Sequence, residues 1–127
     1  MIQTIQLTDE FTANDNMPKL ELDDKNALAI LMGRCLPESA NEMQQQLNEQ
    51  LDPFLEHAKL HLIFKLEFFN TSSSKVFELF LNKMEEHHRR GAFMQVTWYF
   101  TEDDEDMEEA GEEFATLVSF PFKLADY

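Results

Sequence analysis

Residues 60–90 read LHLIFKLEFFNTSSSKVFELFLNKMEEHHRR, and this stretch joins two periodic patterns. Its first ten residues alternate between apolar and other side chains, which is the period of a β-strand. One side of this strand carries Leu60, Leu62, Phe64, Leu66 and Phe68, whereas Phe69 falls on the other side. From Val76 onward the apolar residues recur at the spacing of an α-helix, which Gly91 is suited to end. The helical stripe consists of Val76, Phe77, Phe80, Leu81 and Met84.

A second alternating run follows this helix, with Met94, Val96, Trp98 and Phe100 on one side. A strand, a helix and a strand of these lengths form a parallel crossover unit. Both strands have one strongly apolar face and one mixed face, so we expect helices mainly on one face of the sheet. The predicted fold class is α/β, on the border with α+β, with a mixed β-sheet in a single domain of residues 1–127.

The N-terminal third contains weaker signals. Residues 1–19 predict a short strand or arm followed by a polar loop. Leu20 and Leu22 then precede a turn over residues 23–26, and residues 27–32 form an apolar run of strand length. These features predict a β-hairpin.

Two more helices are indicated by apolar residues at helical spacing. The first covers residues 38–57, with Pro37 suited to its first turn, and Pro53 predicts a bend near Asp52 or a restart that Asp52 caps. Its apolar face consists of Ala40, Met43, Leu47, Leu51, Phe54 and Leu55. The second is marked by Met107, Ala110, Phe114 and Leu117, after which residues 118–122 predict a last short edge strand.

Composition limits the possible functions. The chain has 127 residues, of which 43% are hydrophobic, and its formal net charge is −15. Such a charge repels nucleic-acid phosphates and anionic lipids, so we expect neither as a partner and favour a protein with a basic or neutral face. The single cysteine, Cys35, cannot form an internal disulfide, and we expect it to be a small core or turn residue. No export signal or spanning segment is recognisable, so we expect a cytoplasmic protein. No cysteine and histidine cluster has the spacing of a zinc site, and we expect neither a metal nor another cofactor.

The hydroxyl cluster of residues 70–75, Asn-Thr-Ser-Ser-Ser-Lys, stands at the predicted start of the central helix. Such side chains accept bonds from free backbone N–H groups, and the helix dipole favours negative charge there. Thr71 could therefore be a helix cap, a phosphate acceptor or a catalytic nucleophile. A nucleophile needs a nearby base, and no G-x-S-x-G or S-x-x-K arrangement supplies one. A small hydrolase that pairs Thr71 with His87 or His88 is the enzymatic alternative.

Other polar groups have simpler interpretations. Residues 102–113 include nine acidic side chains in twelve positions, but they lack the glycine and glutamate positions of an EF-hand loop. The run is therefore either a solvated loop and helix start or a surface that faces a partner. His57 and His61 fall across a predicted helix-to-strand boundary, so we expect no metal site there. Leu79 lies off the apolar stripe of its helix and is a candidate partner contact.

Four segments together resemble the SiaC family of bacterial regulatory phosphoproteins, with matching order and spacing across residues 66–122. The matching segments are residues 68–75, 96–100, 102–107 and 120–122. Residues 33–39, GRCLPES, are similar to the family's Gly-x-Ser-Tyr-Pro-Glu-Asn, from which Cys35, Leu36 and Ser39 depart.

This resemblance implies a fold related to STAS-type anti-sigma-factor antagonists and no catalysis of its own. It implies that a partner protein kinase phosphorylates Thr71, that a metal-dependent phosphatase restores it, and that the unphosphorylated form binds a diguanylate cyclase in cyclic-di-GMP and biofilm signalling. The residues expected to contact partners are Asn70, Thr71, Ser72, Ser73, Lys75 and Leu79. A STAS-type antagonist that captures an anti-sigma factor is the alternative binding function.

Overall fold

Six strands form one sheet in which each strand lies beside its neighbour in the sequence. The structure, a computed structural model, describes residues 2–127. The strands are β1 (Ile2–Gln6), β2 (Lys19–Asp23), β3 (Leu28–Cys35), β4 (Lys59–Phe69), β5 (Phe93–Phe100) and β6 (Phe122–Asp126). The helices are α1 (Ala40–Glu56), α2 (Thr71–Arg89) and α3 (Glu105–Ala115), with one 3-10 turn at Asn14–Asn16.

The sheet is mixed. Strands β1, β2 and β3 pair antiparallel, which confirms the predicted hairpin, and β3, β4, β5 and β6 pair parallel. Each parallel pair needs a crossover, which α1, α2 and α3 supply in turn. Because every crossover steps to the next strand in the same direction and such connections are right-handed, the three helices share one face. The predicted α/β class with helices on one face is confirmed.

An aromatic cluster forms the centre of the core between the sheet and the helices. The ring centroids of Phe64 and Trp98 are 5.0 Å apart, those of Phe64 and Phe77 are 5.1 Å apart, and those of Trp98 and Phe114 are 5.3 Å apart. Such pairs add about 0.5–1.5 kcal/mol each beyond the burial of their area. The stripe predicted for α2 is completely buried, and Gly91, with a φ of +101°, follows the end of that helix as predicted.

The end of β4 differs from the predicted alternation. Phe68 is 55% exposed, whereas Phe69 packs into the core against Trp98 at 5.8 Å between ring centroids. The cause is a β-bulge, because the register with β3 shifts between Gly33 and Arg34 and leaves one extra residue on β4. A bulge reverses the side on which the following residues lie, and the period of the sequence does not reveal it.

The first helix also departs from the prediction at both ends. Pro37 lies before the helix, and Ser39 is the N-cap, with its side chain accepting a bond from the N–H of Glu42 at 3.3 Å. The helix continues through Pro53 to Glu56, so there is no restart at Asp52. The Asp52 carboxylate instead accepts a bond from Lys83 of α2 at 2.6 Å.

The last strand lies later than predicted. Residues 118–122 were expected to form it, but the strand is β6, Phe122–Asp126. Pro121 accepts a hydrogen bond from the N–H of Val96 at 3.0 Å through its carbonyl, and proline has no N–H to donate to a strand ladder. Phe120 turns inward and is buried. None of the helices within residues 2–127 has the length and apolar character needed to cross a lipid bilayer.

Candidate phosphorylation site and partner surface

Asn70 is the N-cap of α2. Its side-chain oxygen accepts bonds from the N–H of Ser73 at 3.0 Å and from the Ser73 hydroxyl at 2.7 Å. Its side-chain NH₂ donates to the carbonyl of Pro37 at 2.9 Å. Asn70 therefore takes the capping role that Thr71 could have filled, and it ties the start of α2 to the segment before α1.

Ser73 lies inside the protein, although it was expected to contact partners. Its side chain is completely buried, and its hydroxyl lies 2.8 Å from the carbonyl oxygen of Cys35 at the end of β3. The N–H of Asn70 donates to the same carbonyl at 3.2 Å. Ser73 thus supports the helix start from within and presents no hydroxyl to a partner in this conformation.

Thr71 is the first residue of α2, and its side chain is exposed. It lies at the rim of a surface groove of about 570 Å³ between the start of α2 and the second half of α3. The groove is lined by Phe69, Asn70, Thr71, Ser74, Glu78, Ala110, Glu113, Phe114, Thr116 and Leu117. The Thr71 hydroxyl is therefore accessible from solvent without unfolding of the helix.

The charges around Thr71 are mixed. Lys75 is exposed four residues further along α2, which places it within reach of a group on Thr71. Glu78 of α2 and Glu113 of α3 line the same groove. A phosphate on Thr71 would bring about −1.5 to −2 charges, favoured by Lys75 and the helix dipole and opposed by the two carboxylates. Because these electrostatic contributions oppose one another, we expect the phosphate to leave the fold of the domain unchanged.

Leu79 and Leu117 extend this surface. Leu79 is 44% exposed and lies in a second groove that also involves Asn48 of α1. Leu117 is 37% exposed and borders both grooves. The helical spacing predicts Leu117 on the apolar stripe of α3, but the helix ends at Ala115 and Leu117 follows it in a turn. Its spacing gave no sign that it would reach the surface beside Thr71.

Glu85 holds the segment that carries Leu117. Its buried carboxylate accepts bonds from the N–H of Ser119 at 2.8 Å, from the Ser119 hydroxyl at 2.7 Å and from Arg89 at 3.2 Å. The backbone bond from Ser119 lowers the pKa of Glu85, and this effect together with the other bonds outweighs the opposing effect of burial. An ionised Glu85 therefore fixes the chain after α3 against α2.

The acidic run, residues 102–113, includes the N-cap and most of α3. Asp104 is the N-cap, and its carboxylate accepts a bond from the N–H of Met107 at 3.0 Å. Glu105, Asp106 and Glu108 occupy the first turn, where negative charge is favourable toward the helix dipole. The exposed carboxylates continue along α3 to Glu113 in the Thr71 groove, so the run serves the helix start and also contributes to the candidate partner surface.

The histidines do not come together with Thr71. His87 and His88 lie at the opposite end of α2, about 24 Å from Thr71 at about 1.5 Å per residue. His57 bonds the carbonyl of Pro53 at 2.7 Å, and His61 lies 2.8 Å from the Thr97 hydroxyl. Within residues 2–127, no three His, Cys, Asp or Glu side chains converge as metal ligands. The geometry therefore keeps both histidines of the predicted hydrolase away from Thr71.

The Cys35 thiol should be unreactive in the native protein. Cys35 is completely buried, as expected of a core residue, and burial raises the pKa of its thiol to about 12 despite a hydrogen bond with Ser73. At about pH 8 we expect Ellman's reagent to label it only on unfolding, since the thiolate is the nucleophile. Protein in guanidinium chloride is the positive control. Complete labelling of native protein within minutes would show that the start of α2 opens readily.

Several solved structures share this fold. A chain of the crystal structure of the diguanylate cyclase SiaD in complex with its activator SiaC, from Pseudomonas aeruginosa, matches with a TM-score of 0.82 and 28% identity, covering 89% of this chain and 94% of that chain. The structure of apo-SiaC from the same organism matches with a TM-score of 0.77 and 28% identity, covering 87% and 91%. An uncharacterized protein of Pseudomonas aeruginosa strain UCBPP-PA14 is 29% identical over 109 residues, 84% of this chain and 86% of its own length.

The chain is thus a small α/β domain that carries its helices on one face of the sheet and an exposed hydroxyl at the capped start of α2. A model of the SiaC family of regulatory phosphoproteins matches residues 11–127. The chain belongs to the SiaC family, as its sequence motifs predicted.

Proposed function

We propose that this chain is a non-enzymatic binding module switched by reversible phosphorylation of Thr71. The observation that carries the proposal is the position of Thr71, exposed at a helix start and at the rim of the groove between α2 and α3. The unphosphorylated form binds a diguanylate cyclase, a protein kinase adds the phosphate, and a metal-dependent phosphatase removes it. The likeness to a SiaC chain found with a cyclase supports the choice of partner. We place this role in the cytoplasm, where ATP is available to a kinase.

The proposed contact surface runs along the exposed side of α2. It consists of Asn70, Thr71, Ser72, Lys75 and Leu79, joined by Leu117 from the turn after α3. Ser73 supports this surface from inside through its contact with the Cys35 carbonyl. The surface combines an apolar part, a lysine and a phosphorylatable hydroxyl, which suits a partner that covers Thr71 on binding.

The phosphate acts by its charge and bulk at this interface. Phe69 and Phe114 give the groove apolar walls, so a partner that packs against them removes water from Thr71 as well. Burying a dianion costs several kcal/mol unless it is paired, and Lys75 is the nearest exposed cation on the same helix face. Binding to the cyclase is therefore weakened while the fold of the module is kept.

Site mapping tests the assignment of Thr71. Incubation with the cognate kinase and ATP should place phosphate on Thr71, because its hydroxyl is the exposed one at the helix start. Mass spectrometry of the labelled protein gives the position. Thr71→Ala should abolish labelling, and Ser72→Ala and Ser74→Ala are matched controls that should retain it. Phosphate found solely on Ser72 or Ser74 would refute the residue assignment, and absence of any labelling would refute the switch.

A further inference from the structure

Within residues 2–127, no helix of the α type covers the face of the sheet opposite α1, α2 and α3, and the turn Asn14–Asn16 borders that face. We call it the open face, and it comprises the strand residues whose side chains point away from α1, α2 and α3. Ile30 of β3 lies directly opposite Ile63 of β4, and both are only partly buried, as are Leu28 and Met32. Parallel sheets are normally covered on both faces, because their strands bury apolar side chains on each side. An apolar row across two central parallel strands is therefore a surface that lacks a covering layer.

Aromatic and basic side chains border this row. The ammonium group of Lys65 lies 5.2 Å from the ring centroid of Tyr99 and 5.6 Å from that of Tyr127. The two tyrosine rings pack edge to face with 5.6 Å between centroids. Lys65 is thus held over two rings at one side of the row, and its charge remains exposed.

The charge of the open face is opposite to that of the chain. By strand register and burial, the strands of this face carry five of the ten basic residues and three of the 25 acidic ones. With Asp15, which lines the same groove as Ile30 and Lys65, the formal charge of the face is +1 on a chain of −15. The basic residues are Lys19, Arg34, Lys59, Lys65 and Lys123, and the acidic ones are Glu21, Asp23 and Glu67. The rest of the surface therefore carries all of the net negative charge, and partners of opposite charge are expected on the two sides.

From this arrangement we infer that the open face is a docking surface for an acidic amphipathic helix of a partner protein. The apolar side of such a helix covers Ile30, Ile63 and Met32, and its carboxylates meet Lys65, Lys123 and Arg34 at the border. The helix completes a three-layer α/β/α arrangement, which is the usual solution for parallel strands. The inference is independent of the Thr71 switch, because Thr71 and the open face belong to opposite sides of the sheet.

Two other occupants fit less well. A second copy that packs open face to open face brings two positive surfaces together, which like charges oppose. Nucleic acid and anionic membranes meet a basic face, but the chain as a whole repels them through its −15 charge. A short acidic helix interacts with the face alone and avoids the acidic surface of α3.

A peptide titration tests the inference. The probe is a synthetic 18-residue helix-forming peptide with leucines on one side and glutamates flanking them, and the controls are a scrambled peptide of the same composition and one with lysine for glutamate. Fluorescence anisotropy gives affinity, and amide NMR shifts of the full chain give the location. We expect the acidic amphipathic peptide to shift amides of β3, β4 and β5, with affinity that falls as salt is raised.

Variants of the full chain make the test specific. The double variant Lys65→Glu with Lys123→Glu should weaken binding of the peptide about tenfold or more, since two favourable charge pairs become repulsive. Lys25→Glu, in the exposed turn before β3, makes one such charge reversal outside the strands of the face and should have no effect. Ile30→Thr with Ile63→Thr keeps the β-branched shape and should also weaken binding about tenfold through lost apolar burial. Thermal unfolding verifies that each variant is folded.

Any of four results would overturn the inference. They are equal binding of the scrambled peptide, amide shifts confined to the helices, equal weakening by Lys25→Glu, and binding of phosphatidylserine vesicles without binding of the peptide. Thr71→Asp should leave peptide affinity unchanged, so failure at the open face and failure of the Thr71 switch remain distinguishable.

Discussion

Thr71→Asp should weaken binding to the proposed partner, a diguanylate cyclase, by about tenfold and leave the fold intact. The aspartate carboxylate stands at the start of α2, where the helix dipole favours negative charge, so the free energy of unfolding should change by under about 0.5 kcal/mol. The cost appears on binding, when the partner covers the groove between Phe69 and Phe114 and removes water from the charge. Calorimetric titration and thermal unfolding of the same protein give the two quantities.

Two variants serve as controls for this prediction. Thr71→Ala should bind the cyclase as the unmodified chain does and should resist the kinase. Ser72→Asp adds the same charge one residue away, within the proposed contact surface but outside the groove between Phe69 and Phe114, and should weaken binding less than Thr71→Asp does. Equal effects of Thr71→Asp and Ser72→Asp would show that general charge at the helix start matters more than the groove. Loss of folding in Thr71→Asp would show that the site is structural.

Gly111→Ala should destabilise the protein, because an added methyl group at Gly111 meets a neighbouring side chain, whereas Gly33 and Gly91 have open space at that position. A Cβ atom at Gly111 would lie 2.5 Å from Cδ1 and 2.8 Å from Nε1 of Trp98. That indole is completely buried and donates a bond to the carbonyl of Met107 at 2.9 Å, so neither the ring nor α3 has room to move. Overpacking costs about 1–3 kcal/mol, and for contacts as short as these we expect the upper part of that range, which exceeds the roughly 1 kcal/mol that alanine gains over glycine in a helix.

The measurement for Gly111→Ala is thermal or chemical unfolding followed by tryptophan fluorescence, since Trp98 is the single tryptophan of the chain. We expect the midpoint of thermal unfolding to fall by about 5 °C or more. Glu112→Ala, an exposed neighbour on the same helix, is the matched control and should have little effect. An unchanged or higher midpoint for Gly111→Ala would mean that α3 is not packed against Trp98 as described. Because Ala110 and Phe114 line the Thr71 groove, cyclase affinity should fall with stability.

The strands and helices that make the core could be predicted from the sequence, because their apolar periods are long and regular. The strand β4, the helix α2 and the strand β5 follow their patterns, and the order strand, helix, strand determines the parallel pairing. The reversal at Phe68 and Phe69 could not be predicted, since the bulge depends on how β3 pairs with β4 around Gly33. Pro53 did not restart the helix, because α1 is held by buried side chains on both sides of it.

The candidate site was predictable where it depends on local sequence. Placing Thr71 at a helix start needed only the hydroxyl cluster and the stripe that begins at Val76. The burial of Ser73 and the exposure of Leu117 depend on which segments lie across from them, namely the end of β3 and the turn that Glu85 holds. Such contacts join residues 34 or more positions apart, and neither the apolar periodicity nor the composition of the sequence predicts them.

The most direct test of the Thr71 switch uses authentic phosphate in place of a mimic. The chain is phosphorylated to completion by its kinase, the product is verified by mass spectrometry, and both forms are titrated against the diguanylate cyclase by calorimetry. We predict that phosphorylation weakens binding of the cyclase at least tenfold and leaves the midpoint of thermal unfolding unchanged, since the phosphate lies at an exposed helix start. Equal affinity of the two forms would contradict the proposed switch at Thr71.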